Sequence, residues 1–162
     1  MRPGMTRRYL TITWDQLHQD TRALSARLIE SENFTGIVAV TRGGLIPAAI
    51  IARELEIRLI ETVSIITYQD QAIGQPTIAK APTAAGDGTG FLLIDDLVDT
   101  GTTARVARAL LPKAHFACVY AKPAGKPLVD TFVTEVPQDT WILFPWDTAP
   151  QFAPPLARRS DP

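Results

Sequence analysis

The chain has 162 residues, of which 20% are charged, and its formal net charge is -1. This length fits one domain, and the near-neutral charge excludes a global basic field that would attract nucleic acid or an anionic membrane. The N-terminus lacks a signal-type hydrophobic region, and no apolar run approaches the ~20 residues that span a bilayer. We therefore expect one domain over 1–162, a cytoplasmic location, no bound nucleic acid and no transmembrane segment.

Helix and strand patterns alternate along the chain. An amphipathic helix follows the capping-box residues Thr13 and Gln16 and ends near Ser31. After it come a core strand at 36–40, a helix at 46–55, a β-branched strand at 58–68, a second apolar strand at 91–94, a helix at 102–111 and a further strand at 115–120. This order predicts a single-domain α/β fold: a parallel twisted sheet flanked by helices, with a ligand crevice outside the carboxyl ends of the strands.

Two segments lack such periodicity. Residues 69–90 are rich in Gly, Pro, Ala, Thr and Asp, and a connection of this length is usually a flexible lid or a disordered segment. Residues 150–162 form a proline-rich C-terminal tail. The single cysteine, Cys118, lies in an apolar run, so we expect it in the core and not in a disulfide.

The most informative stretch is GFLLIDDLVDTGTT at 90–103, which runs a buried-strand pattern into acidic residues. Asp95 and Asp96 follow the apolar run, where a divalent cation or vicinal hydroxyls would offset the cost of burying them. Asp99 comes next, close enough to act as a proton carrier or as the electrostatic partner of a developing positive charge. The pattern therefore predicts a site at the carboxyl end of this strand.

The small residues after Asp99 are typical of a phosphate-binding turn. Backbone amides in the run 100–103 can converge on an anion where the next helix begins, and the helix dipole favours a phosphate there. The ordinary alternative is a plain strand-to-helix connection in which Asp99 or Thr100 is the helix N-cap.

Two further groups follow predicted strands. The glycines of Arg42-Gly43-Gly44 let the backbone approach a ligand closely, and the guanidinium can pair bidentately with phosphate oxygens. Taken alone, the triplet fits equally a simple glycine turn with a solvent-facing arginine. Lys122 comes directly after the strand at 115–120, so we expect it at the same edge of the sheet, although most lysines are simply exposed.

These motifs stand in long colinear blocks: WDQL, TRGGLIPAAIIAREL, IDDLVDTG, PKAHF, AKPAGKPLVD, PQDTWI and PWD. From about Tyr9 to Pro155, the chain resembles the bacterial xanthine-guanine members of the type I purine phosphoribosyltransferases. The resemblance implies a purine salvage enzyme that transfers the 5-phosphoribosyl group of phosphoribosyl pyrophosphate (PRPP) to N9 of guanine or xanthine, and less well to hypoxanthine. The products would be GMP, XMP or IMP, with pyrophosphate.

The resemblance also implies a role for each motif. Asp99 would be the catalytic residue, managing the proton at N7 of the base, and Asp96 would be a ligand of a Mg²⁺ cofactor. Lys122 would donate to the 6-oxo group of the purine, and Trp141 and Ile142 would complete the base pocket. The segment 42–44 would be the pyrophosphate loop, which carries a non-proline cis peptide in this family. The implied PRPP-binding residues are Arg42, Gly43, Gly44, Asp95, Asp96, Asp99, Thr100, Gly101, Thr102 and Thr103.

Other implications concern the hood, the assembly and location. In the family, the segment matching 69–90 is a mobile hood over the substrate, and it carries an arginine and several lysines where this chain has only Lys80. Family members form tetramers, and one is described as loosely associated with the inner face of the cell membrane. Asp147 either helps to bind cation or base, or caps a turn. Two other functions stay open: an RNA-binding regulator that keeps the PRPP fold, and an enzyme of the same type that prefers hypoxanthine.

Overall fold

The computed structural model describes residues 7–67, 75–147 and 156–158. The chain divides into two compact units, one formed by His18–Gln138 and the other by Met1–Leu17 with Asp139–Pro162. The strands are β1 (Arg8–Thr11), β2 (Gly36–Thr41), β3 (Ile60–Ile66), β4 (Thr77–Lys80), β5 (Phe91–Val98), β6 (His115–Ala121), β7 (Thr131–Glu135) and β8 (Thr140–Leu143), and the helices are α1 (Trp14–Ile29), α2 (Leu45–Glu54) and α3 (Thr102–Leu110).

A six-stranded sheet in the order β4-β3-β2-β5-β6-β7 forms the centre of the larger unit. The pairs β3–β2, β2–β5, β5–β6 and β6–β7 are all parallel. The edge strand β4 pairs antiparallel with β3. The predicted α/β fold, with a mainly parallel sheet flanked by helices, is confirmed. Strand β4 was not predicted, because its four residues are all exposed and show no apolar alternation.

The central strands are buried on both faces, as continuous apolar runs predict. On one face, residues of β2, β5 and β6 pack with Ala104 and Ala107 of α3. On β2 and β5 the alternate residues, such as Ile37 and Leu92, are fully buried as well. Helix α1 is tied to the sheet by the Tyr120 hydroxyl, which donates to the Asp20 carboxylate at 2.6 Å. Cys118 is buried and free, as expected.

Strand β5 is longer than the apolar run from which it was predicted. It extends through Val98, so Asp95 and Asp96 lie inside the strand and not beyond its end. Asp95 is still in register with Cys118 of β6, which shows that the ladder continues through the acids. The acidic residues ended the predicted strand early because they interrupt its hydrophobic pattern.

The terminal unit contains a second, two-stranded sheet in which β1 and β8 run parallel. Arg8 pairs in register with Thr140, and Thr11 pairs with Leu143. Within the described part of the chain, no helix has both the length and the apolar character needed to cross a bilayer. Residues 69–74 of the predicted hood and most of the predicted tail at 150–162 lie outside the described residues.

Candidate active site

Three neighbouring strands of the larger sheet, β2, β5 and β6, point their carboxyl ends at the same edge. The loops that leave these strands carry the glycine pair, Asp99 and Lys122, while Asp95 and Asp96 lie within β5 itself. The backbone also links two of them, since the Lys122 N–H donates to the Val98 carbonyl at 2.9 Å. Parallel strand order therefore brings together residues that lie far apart in the sequence, at the edge where α/β folds bind ligands.

The loop after β2 approaches the acidic residues very closely. A Cβ on Gly43 would stand 2.6 Å from Cγ of Asp96, and a Cβ on Gly44 would collide with backbone oxygens of Ile94 and Val40. Only glycine fits at either position without a shift of its neighbours. The peptide bond at Thr41–Arg42 is cis. Arg42 itself is exposed, and its guanidinium has no hydrogen bond or ion pair among the described residues.

Asp95 and Asp96 place two adjacent carboxyl groups within β5, where their negative charges repel each other. The Asp95 Oδ1 atom accepts the Asp96 N–H at 2.9 Å. Burial, and then the charge and side chain of Asp96, raise the pKa of Asp95 well above its ordinary value. Burial and the Asp95 charge likewise raise the pKa of the Cys118 thiol, which keeps that thiol protonated. A cation or donor hydroxyls would relieve the repulsion between the two acids.

Asp99 is held by two side chains, one on each carboxylate oxygen. The Lys122 ammonium donates to Oδ2 at 3.1 Å, and the Gln138 amide donates to Oδ1 at 2.7 Å. The Lys122 side chain is only 4% exposed, whereas that of Asp99 is 43% exposed. A lysine this deeply buried needs a charged partner, and Asp99 supplies it while keeping one side open to solvent.

The turn between β5 and α3 is shaped by Gly101, whose φ of 92° lies in the left-handed region. Gly101 is the N-cap of α3 and no side chain of the described residues caps this helix, so the alternative in which Asp99 or Thr100 caps it is wrong. The Thr100 and Thr102 hydroxyls lie 3.3 Å apart on this turn. The Arg105 guanidinium also lies close, since a Cβ on Gly101 would be 3.5 Å from its Nη1 atom.

Comparisons with known proteins identify the family to which the chain belongs. The profile of the phosphoribosyl transferase domain family matches residues 13–153. The chain belongs to the phosphoribosyltransferase family. Xanthine-guanine phosphoribosyltransferases from Gluconobacter oxydans and Desulfotalea psychrophila are 63% and 62% identical to it, over 93% and 94% of this chain and 91% and 95% of theirs. A purine phosphoribosyltransferase structure from Pyrococcus horikoshii matches with a TM-score of 0.75 at 27% identity, over 91% of this chain and 99% of that one.

Most of the predicted site residues lie in the larger unit, in β5 and in the segments that follow β2, β5 and β6. They are Arg42, Gly43, Gly44, Asp95, Asp96, Asp99, Thr100, Gly101, Thr102, Thr103 and Lys122. Trp141 and Ile142 lie in β8 of the terminal unit. There, Trp141 is 42% exposed and Ile142 is buried. The Arg7 guanidinium stands 5.0 Å from the Trp141 ring centroid.

Two residues beside the candidate site were missed in the sequence. Gln138 follows β7, and a polar residue just beyond a parallel strand is the same signal that identified Lys122. It went unnoticed because β7 itself was not recognised. Arg105 is four residues after the glycine of the phosphate-type turn, so its position on the first turn of α3 could have been derived from helix periodicity.

Two other predicted positions have clear structural surroundings. Lys80 donates to the Glu61 carboxylate and, at 2.9 Å, to the Thr62 carbonyl, so the single cation of the predicted hood is already paired. Asp147 accepts the Phe144 N–H at 3.2 Å and donates its own N–H to the Phe144 carbonyl at 2.9 Å. Of the two roles considered for Asp147, these contacts favour the capping of a turn.

Proposed function

We propose that this phosphoribosyltransferase transfers the 5-phosphoribosyl group of PRPP to N9 of guanine or xanthine, and less well of hypoxanthine, releasing pyrophosphate. The relatives that match most of the chain carry the name of this activity. The observation that carries the proposal is the cluster at one sheet edge: a buried lysine paired with Asp99, beside the acidic pair of β5, of which Asp96 lies against the Gly43 backbone.

The PRPP molecule would be held by its two ends and by its sugar. The Arg42 guanidinium, which has no partner among the described residues, would pair with the pyrophosphate over the bare backbone of Gly43 and Gly44. The turn at 100–103 would bind the 5-phosphate through its amides and hydroxyls, at the positive end of α3. Asp95 and Asp96 would accept hydrogen bonds from the ribose hydroxyls.

The acidic pair also suits Mg²⁺. This ion is commonly held by one or two carboxylates together with substrate oxygens, and not by a full protein cage. In the described residues no cluster of three or more His, Cys, Asp or Glu side chains could hold a metal, so the substrate would have to supply the remaining ligands. Asp96, with Asp95 beside it, would hold the ion, which when bound neutralises charge on the departing pyrophosphate.

Base selection would depend on Lys122. Its ammonium has only donors, so it matches the 6-oxo group that guanine, xanthine and hypoxanthine share. Adenine presents an amino donor at that position and would leave a buried ammonium facing another donor, which disfavours it strongly. The assignment of Trp141 and Ile142 to base binding comes from the family resemblance, and it remains a prediction.

In the reaction, the bond from C1 of the ribose to the pyrophosphate oxygen breaks and a bond from C1 to N9 forms. Pyrophosphate leaves with the bonding electron pair, and the proton at N7 of the base passes toward the Asp99 carboxylate. The same negative charge stabilises the positive charge that develops on the sugar ring. Positioning and electrostatics would supply most of the rate, since no covalent enzyme intermediate is needed.

The test is a side-by-side measurement of initial rates of nucleotide formation from PRPP and Mg²⁺ with guanine, xanthine, hypoxanthine and adenine. We expect rapid use of guanine and xanthine, slower use of hypoxanthine, and no use of adenine. If adenine were the best substrate, the role of Lys122 would be wrong. If no base were used, the proposed activity would be wrong, and a regulatory role would become the favoured function.

Several finer features remain predictions for this chain. They are a tetrameric assembly, a cytoplasmic location, a single folded domain and a hood at 69–90 that closes over the substrate. Because Lys80 is paired with Glu61, we infer that the hood does not bring this cation to the pyrophosphate.

A further inference from the structure

Gln138 makes two hydrogen bonds that fix the orientation of its side chain. Its Oε1 atom accepts the Ala124 N–H at 2.9 Å, and its Nε2 atom donates to Oδ1 of Asp99 at 2.7 Å. A backbone N–H can only donate, so the amide oxygen must face Ala124 and the amide nitrogen must face the carboxylate. The orientation of this amide is therefore determined by its partners, and donation to Asp99 follows from it.

The carboxylate of Asp99 would depend on Gln138 during turnover. Lys122 binds the other oxygen, Oδ2, but in the proposed function Lys122 also recognises the 6-oxo group of the purine. When the ammonium turns toward the base, its hold on Oδ2 weakens. Across residues 7–67, 75–147 and 156–158, Gln138 is then the remaining side chain that binds this carboxylate.

We propose that Gln138 is a positioning residue, which holds Asp99 by Oδ1 so that Oδ2 faces the base when Lys122 leaves it. This inference rests on the proposed function. The contact suits the task because a neutral donor stabilises an anion without cancelling its charge, unlike a second ammonium. Gln138 is itself anchored to Ala124, in the turn just after Lys122, so the carboxylate and the lysine share one support.

The alternative is that Gln138 serves only the turn through its bond to Ala124. Two substitutions separate these roles. Gln138→Met keeps the length of the side chain and removes both hydrogen bonds. Gln138→Glu keeps an acceptor for the Ala124 N–H, but it replaces the donor with an oxygen that faces Asp99. A purely structural residue would tolerate Glu better than Met, whereas a residue that positions Asp99 would tolerate Glu less well.

The first experiment measures kcat, KM for guanine and PRPP, and the unfolding midpoint. For Gln138→Met we expect about a tenfold loss of kcat, the value of one hydrogen bond to a charged group, with both KM values changed less than about threefold. Gln138→Glu should lose more, and its loss should grow as pH rises and the new carboxylate ionises. Gln19→Met is the matched control, since Gln19 is exposed on α1 and should lose nothing.

The second experiment repeats Gln138→Met in an Asp99→Asn background. If Gln138 acts through Asp99, its removal there should cost little further activity, because the two effects are not additive. An undiminished kcat in Gln138→Met, a wild-type rate in Gln138→Glu, or fully additive losses in the double variant would each overturn the proposal.

A crystal structure of the double variant Lys122→Met with Gln138→Met, compared with that of Lys122→Met alone and both without substrate, gives a readout that does not depend on activity, because Lys122 no longer holds Oδ2. An Asp99 carboxylate that stays in place in Lys122→Met and is displaced in the double variant supports the positioning role, and any other outcome overturns it. Should the wild-type protein turn over no base, the proposed function fails on that ground, while the crystal structure still decides whether Gln138 positions the carboxylate.

Discussion

Replacing Asp99 by Asn keeps the size of the side chain and removes its charge. In the proposed reaction this carboxylate takes the N7 proton and faces the positive charge on the sugar, so the variant should lose about 100-fold or more in kcat. Its KM for PRPP should change little, because the sugar and phosphate contacts are made by other residues. Steady-state kinetics check this, with Asp15→Asn, an exposed acid on α1, as the control. Unchanged turnover would remove Asp99 from the mechanism.

Arg105 lies beside the turn at 100–103 but is not one of the small residues from which a phosphate site was predicted there. Its guanidinium lies over Gly101 and has no partner among the described residues, so it is available to a phosphate bound at the turn. We expect Arg105→Met to raise the KM for PRPP about three- to tenfold, with kcat nearly unchanged, because an exposed charge adds affinity and not chemistry.

The matched control for Arg105→Met is Arg58→Met, which removes the same charge from an exposed arginine just before β3 that has no partner within residues 7–67, 75–147 and 156–158. The two variants have the same net charge, so a difference between their KM values for PRPP reflects where the arginine lies and not the overall charge of the protein. An equal KM for PRPP in both variants would show that Arg105 does not contact the phosphate.

At the scale of elements, α3 is tied to the strands beside it by Arg108 and Asp130. Arg108 donates to the carbonyls of Ala114 and Leu128, at 2.7 and 3.1 Å, and to the Asp130 carboxylate at 2.8 Å. The same carboxylate oxygen accepts the Phe116 N–H at 2.8 Å. Burial alone would raise the pKa of Asp130, but the hydrogen bonds from Arg108 and Phe116 outweigh it, so the pKa lies below its ordinary value.

This lowered pKa predicts a pH-dependent contribution to stability. The native state then binds fewer protons than the unfolded state, so the contribution is present above the unfolded pKa of about 4 and is lost as pH falls through the native value. At pH 7, Asp130→Asn should lower the free energy of unfolding by about 1 kcal/mol, a figure reduced for partial exposure of the pair. Near pH 3 the difference from wild type should shrink.

Urea unfolding at the two pH values measures this difference. Glu135→Gln is the control, since Glu135 forms an exposed ion pair with Lys126 that should contribute almost nothing. A loss for Asp130→Asn that is the same at both pH values would show that the amide differs from the carboxylate for reasons other than charge.

Burial decides which elements the sequence could predict. Strands β2, β5 and β6 were found because their apolar runs are buried on both faces. The short strands β1, β4, β7 and β8 were missed because each has only four or five residues and, apart from two positions in β8, none of these residues is buried. Missing β7 also hid Gln138, whose contact with Asp99 joins residues 39 positions apart. The acids and the glycines were predictable because each follows a strong strand signal.

At the scale of the whole molecule, charge separates the enzyme from an RNA-binding regulator on the same fold. The formal net charge is -1 and the isoelectric point is about 6.1, so no global field attracts a polyanion. The positive charges of Arg42 and Arg105 near the site are balanced in number by the two carboxyl groups of Asp95 and Asp96 on β5. Both arginines would also be occupied by the phosphates of PRPP. We therefore expect no saturable RNA binding, even at low salt, where phosphate contacts are strongest.

Fluorescence anisotropy with a labelled single-stranded RNA at about 50 mM salt checks this, with a basic RNA-binding protein as the positive control. Saturable binding that weakens steeply as salt is added would contradict the expectation and reveal a local basic surface. Competition with PRPP then locates any such surface. RNA displaced by PRPP would be bound at the phosphate positions of the site, whereas RNA that stays bound would occupy a separate face of the protein.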